Sequence, residues 1–187
     1  MEFPVWKLIM LLITTVGLLF ISRFSLFKPR SHGFFRFFAW ECIVGLFLLN
    51  VDFWFTHPLR WHQVITWLFL AGSLVPLLWG VILLKKLGKP VTTRIGGESL
   101  HSFEKTSHLV TVGIFRLIRH PLYASLLYLT WGLFFKQPSW LGFGLAMLAS
   151  IFIQLTALAE EKEMYRVFGV EYEQYRKHTK RFIPFIF

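Results

Sequence analysis

A chain of 187 residues with 55% hydrophobic and only 16% charged side chains is too apolar for a soluble domain, in which about 25% of residues are charged. A mean hydropathy of +0.56, 22 Phe and 8 Trp point to an integral membrane protein, and the length to a single domain. The net charge of +10 does not signal nucleic acid, because Lys and Arg are interleaved with apolar runs in the manner of the positive-inside rule. The lone Cys42 excludes an intramolecular disulfide.

In chain order, Val5–Ile21 is mostly apolar and just long enough to span a bilayer. It lacks a basic start and a small-residue cleavage site, so it reads as a retained helix rather than a signal peptide. Arg23, Lys28, Arg30 and Arg36 follow, then a second span over Phe37–Phe55 with Glu41 and Asp52 near its ends. A short turn around His57-Pro58 leads to a third span, Val64–Leu84. The polar segment from Lys85 to Thr111 has its most flexible point at Gly96-Gly97. Leu122–Phe135 is apolar but short, Lys136-Gln137-Pro138-Ser139 signals a turn, and Trp140–Ala159 supplies another span. The last two runs read as a helical hairpin. A charged, helical tail runs from Glu160 to Arg181, before the helix-stopping Pro184.

Seventeen of the 20 Lys and Arg residues fall in segments 23–36, 85–121 and 160–187; only Lys7, Arg60 and Lys136 lie on the opposite face. Five spans with the N-terminus outside and the C-terminus cytosolic satisfy the positive-inside rule. This all-α, polytopic arrangement divides into N-terminal helices over 1–84 and a core over 85–187. It also brings two unusual stretches together. One is Arg119-His120-Pro121-Leu122-Tyr123, the other Glu160-Glu161-Lys162-Glu163. Their charges would be costly in hydrocarbon, which marks a site at the membrane surface. The residue before a proline avoids the α region, and proline suits the first position of a helix. The chain therefore breaks at Arg119-His120 and a helix starts at Pro121, its N–H groups and the Arg119 charge suited to an anionic group. The plainer alternative is a basic pair touching lipid phosphates, with the glutamates forming a solvated turn. Tyr172 and Tyr175 read as packing residues rather than catalytic ones, and the seven histidines show no zinc-ligand spacing.

Several pieces in combination resemble the isoprenylcysteine carboxyl methyltransferase family, which is similar to the phospholipid N-methyltransferases and their bacterial relatives. They are His108-Leu109-Val110-Thr111-Val112-Gly113-Ile114-Phe115, Arg119-His120-Pro121-Leu122-Tyr123, Glu160-Glu161, Phe168-Gly169-Val170-Glu171-Tyr172-Glu173-Gln174-Tyr175 and Arg181-Phe182-Ile183-Pro184. The resemblance covers about residues 105–185. It implies S-adenosylmethionine-dependent methyl transfer to a lipophilic acceptor from a cofactor pocket at the cytosolic face. Carried over by position, His120, Tyr123, Glu160 and Glu161 contact the cofactor and Gly113 lines the pocket with its backbone, while Arg119 and Glu160 serve catalysis, Arg119 by binding either the acceptor or a cofactor carboxylate. Glu161→Gln is expected to weaken cofactor binding with the fold intact. Position 115 is Phe where many relatives have Tyr, so no hydroxyl acts there. The acceptor, whether an isoprenylcysteine carboxylate, a phospholipid amine or a thiol, stays open. A sterol-reductase-like NADPH enzyme and a non-catalytic membrane scaffold are the rival classes.

Overall fold

The computed structural model describes residues 4–56, 58–89 and 106–184; Gly96-Gly97 lies outside them. Among the described residues the chain is helical, without a β-strand: α1 (Val5–Leu26), α2 (His32–Asn50), α3 (Trp61–Leu87), α4 (Pro121–Lys136), α5 (Trp140–Phe168) and α6 (Val170–His178). Side-by-side packing runs α1 on α2, α2 on α5, α5 on α4 and α4 on α3. The chain thus inserts its last hairpin between its second and third helices.

Small residues set the closest of these contacts. Ala146, Ala149, Ile153 and Ala157 of α5 are all at most 1% exposed. Their spacing of three and four residues puts them on one helix face, and short side chains let helix backbones approach where lipid supplies no hydrophobic drive. Ile43 and Leu46 of α2 pack with this face and with Leu133 of α4. Between α3 and α4, a Cβ added at Gly80 would stand 2.9 Å from Leu122 and 3.1 Å from Pro121, so glycine there permits the approach. In contrast, α1 leaves Leu12, Ile13, Val16, Phe20 and Ile21 exposed, as a helix facing acyl chains does. The Lys7–Asp52 ion pair and a hydrogen bond of 2.9 Å from the Thr15 hydroxyl to Glu41 tie it to the bundle.

Four helices, α1, α2 (continued to Phe53), α3 and α5, are long and apolar enough to cross a membrane among the described residues. The expected fifth, α4, has only 16 residues, about 24 Å of rise against a hydrocarbon core of about 30 Å. Its C-terminal carbonyls have no partners within the helix, and polar side chains of neighbouring segments reach them. The Asn50 amide donates to Leu133 O at 2.8 Å, a His62 ring nitrogen lies 3.1 Å from Phe135 O, and the Gln63 amide donates to Lys136 O at 2.9 Å. Lys136 itself is fully buried. Its ammonium donates to Trp54 O and Gln63 Oε1, both at 2.8 Å, and lies 4.0 Å from the centre of the Trp67 ring. Gln63→Leu removes a donor and an acceptor at once in a buried setting, where each unsatisfied group costs about 1–3 kcal/mol. We expect a thermal midpoint lower by roughly 5–10 °C, read by the unfolding of the purified protein in detergent.

The structure also moves helix ends. α5 continues nine residues beyond Ala159, to Phe168, so Glu160 and Glu161 sit on the last turns of a membrane helix rather than on a separate tail. The expected hairpin of α4 and α5 is present, its turn closed by Ser139, whose hydroxyl accepts from Gly142 N at 3.1 Å.

Candidate active site

The pre-proline rule acts where the sequence places it. His120 has φ −123° and ψ 64° and caps α4, whose first residue is Pro121. The segment ahead of it is a 3-10 turn over Gly113–Arg116, opened by Gly113 at φ +62°. A Cβ there would come within 2.6 Å of Leu83 and 3.2 Å of the Trp79 indole nitrogen. Glycine is needed at this position both for its backbone conformation and for its approach to α3.

The C-terminal tail then locks onto this break. Arg119 N donates to Lys180 O at 2.8 Å, His120 N to Arg181 O at 3.1 Å, and Lys180 N to Leu117 O at 3.3 Å. These bonds satisfy backbone groups that the proline break leaves without a helical ladder. They also bring Arg181 beside Arg119. Glu161 stands between the two guanidinium groups. Its carboxylate accepts from Arg119 Nε and Nη2 at 3.2 and 3.0 Å and from Arg181 Nε and Nη2 at 3.0 and 3.1 Å, with His120 Nε2 3.4 Å away. Arg119 Nη1 reaches on to the carbonyl of Thr179. Arg119 therefore joins three chain segments: its own, α5, and the stretch after α6.

Adjacent residues on a helix point about 100° apart, and the two glutamates diverge accordingly. Glu160 lines a cavity at the N-terminus of α4, its carboxylate 3.9 Å from His120 Nδ1. Glu161 does not line that cavity; it faces the junction with α6 and a second cleft. Glu163 turns toward α2 and bonds the buried His32 at 2.9 Å.

The first cavity, about 620 Å³ with its open mouth included, is lined on its polar side by Arg119, His120, Tyr123, Glu160, Tyr172 and Tyr175. Its apolar wall comes from residues such as Leu84, Val110, Phe115 and Met164. The His120 and Tyr123 rings stack with centroids 5.5 Å apart, which fixes the imidazole. Tyr175 donates its hydroxyl to Phe115 O at 2.7 Å, holding α6 over the 3-10 turn. The Tyr172 hydroxyl is buried and makes no hydrogen bond among the described residues. Burial pushes both phenols above the ordinary tyrosine range, and the negative charge of Glu161 adds to this at Tyr172. Each remains a donor at neutral pH.

Of the residues singled out from sequence, Arg119, His120, Tyr123 and Glu160 converge on one cavity, while Gly113 and Glu161 stand outside its lining. Sequence reasoning set Tyr172 and Tyr175 aside as packing residues and assigned no role to Arg181. Their repetition with acidic residues in Glu171-Tyr172-Glu173-Gln174-Tyr175, just beyond the glutamates, was the available signal.

No curated protein and no solved structure matches the chain. Residues 94–171, about two-fifths of the length, match the family model described as phospholipid methyltransferase. That stretch, similar to the phospholipid methyltransferases, holds the Arg119-His120 break, the hairpin of α4 and α5, and the glutamate pair.

Proposed function

We propose that the whole chain, 1–187, acts as one membrane domain that transfers a methyl group from S-adenosylmethionine to a lipophilic acceptor at the cytosolic face. The observation that carries this reading is the convergence of Glu160, His120, Tyr123 and Tyr172 on a single cavity at the start of α4. The donor set fits the cofactor. Glu160, which no guanidinium group neutralises among the described residues, faces the cavity and complements a cation. The N-terminus of α4 presents the positive end of its dipole to a carboxylate. The buried, unpartnered Tyr172 hydroxyl supplies a donor that a bound polar atom satisfies.

S-adenosylmethionine supplies an electrophilic methyl carried on a sulfonium. Its transfer is an in-line displacement, so the chain contributes by positioning the reactants and excluding water. Leu84, Val110, Phe115 and Met164 provide the dry wall. Arg119 is a positioning residue: through Glu161 and the Thr179 carbonyl it holds α5, α6 and the tail around the cavity. Glu160 touches the reacting partners.

Acceptor chemistry decides what more is required. A prenylcysteine carboxylate, with an unperturbed pKa of about 3.5, is ionised at neutral pH and needs no base. A lipid amine must lose a proton, which Glu160 would accept. Among the described residues the site has a carboxylate beside a histidine and no further base lining the cavity, and the carboxylate acceptor asks least of it. Isoprenylcysteine carboxylate is therefore the first acceptor, ahead of a phospholipid amine or a thiol. The test is transfer of isotopically labelled methyl in detergent micelles to a farnesylated cysteine, phosphatidylethanolamine or an alkyl thiol. Labelled prenylcysteine ester in excess over both other products is expected. Label in phosphatidylethanolamine alone would replace this acceptor with the phospholipid amine.

A further inference from the structure

Behind the active-site cavity, across α5, lies the second cleft. It is lined by Leu158, Lys162, Tyr165 and Arg166 of α5 and by Glu173 and Arg176 of α6, with Glu161 at its base. Both of its carboxylates are already engaged, Glu161 by Arg119 and Arg181 and Glu173 by Lys177 at 3.8 Å. Among the described residues no carboxylate pairs with Lys162, Arg166 or Arg176. Three cations therefore share a cleft whose two carboxylates pair with other cations, at the end of a membrane helix.

The surface leading to this cleft is apolar. Ile151, Leu158 and Tyr165 are exposed by 48%, 36% and 53%. A spacing of seven residues is close to two helical turns, so the three form one stripe down α5, about 21 Å long. An apolar stripe ending in clustered cations complements an acyl chain joined to a phosphate, and basic pockets beside membrane helices bind anionic headgroups on this principle. We propose that this cleft binds an anionic phospholipid that is not the methyl acceptor, with its acyl chain along the α5 stripe and its phosphate against Lys162, Arg166 and Arg176. Because Arg176 belongs to α6, the lipid clamps α6 onto α5. The neighbouring face of α6 carries Tyr172 and Tyr175 into the active-site cavity, so the clamp orders that wall as well.

The test uses the purified full chain in neutral detergent and no methyl donor, so its outcome is independent of the methyltransferase reading. Thermal unfolding is followed with dioctanoyl phosphatidylglycerol, dioctanoyl phosphatidylcholine or inorganic phosphate. At ten times its dissociation constant the phosphatidylglycerol is expected to raise the midpoint by about 3–6 °C. The other two should leave it within about 1 °C. The double variant Arg166→Gln/Arg176→Gln should lose most of the phosphatidylglycerol shift while keeping the lipid-free midpoint. Should that variant not fold, Lys162→Gln replaces it, with a partial loss of the shift expected. An equal shift with phosphatidylcholine or with phosphate overturns the proposal, as does a full phosphatidylglycerol shift in the variants.

Discussion

Glu161→Gln is expected to cost the fold about 3–5 kcal/mol, the range for removing one partner of a buried ionic cluster. The carboxylate is 6% exposed and bonded by Arg119 and Arg181. The amide keeps the shape but removes the charge that both guanidinium groups require, and it offers donors where only acceptors fit. Two guanidinium groups are left facing each other, and the tail that pairs with Leu117–His120 loses its anchor. The measurement is thermal or denaturant unfolding in detergent, with a midpoint lower by roughly 10 °C. The paired variant Arg181→Gln should cost less, because that side chain is 18% exposed and Arg119 remains to neutralise the carboxylate. Equal midpoints for wild type and Glu161→Gln would remove the cluster from the forces holding the C-terminal segment.

Glu160→Gln is expected to behave oppositely. Among the described residues its carboxylate makes no guanidinium contact, and it borders the cavity beside His120. Neutralising it should move the melting midpoint by less than about 2 °C, yet weaken S-adenosylmethionine binding about tenfold or more. A charge-assisted contact of 1.5–3 kcal/mol corresponds to a factor of roughly 10–150. Glu160→Asp, which keeps the charge on a shorter arm, should recover part of the affinity. Rescue of that kind separates a charge contact from a packing effect, since the shorter side chain packs no better than the amide. Unchanged affinity in Glu160→Gln with a folded protein would take Glu160 out of the site.

The contrast between two neighbouring glutamates shows where sequence reading stops. Their presence after a long apolar run was legible, and so was their meeting with Arg119-His120, because basic-residue counting put both stretches at one end of the bundle. The start of α4 at Pro121 followed from the local steric rule alone. Which glutamate turns inward was not legible. It depends on the rotation of α5 against α6 and on the pairing of Arg119 and His120 with Lys180 and Arg181, contacts some sixty residues apart that leave no local pattern. Both glutamates read from the motif as cofactor contacts; the geometry sets Glu161 between Arg119 and Arg181 and leaves Glu160 on the cavity. The fifth span, α4, reads as short in sequence and is short in the structure, 16 residues ending at Lys136. Its early end depends on Asn50, His62 and Gln63 reaching its carbonyls from other segments, and each of those residues reads in sequence as an ordinary polar boundary.

The proposed methyl transfer requires that the cavity beside Glu160 hold S-adenosylmethionine. Calorimetric titration of the purified, detergent-solubilised chain tests it most directly, with S-adenosylmethionine and NADPH as parallel ligands and Glu160→Gln as the control. Saturable binding of S-adenosylmethionine alone, lost or much weakened in the variant, is the predicted result. Binding of NADPH alone would contradict the account in favour of a reductase, and binding of neither by folded protein would contradict it in favour of a non-catalytic scaffold.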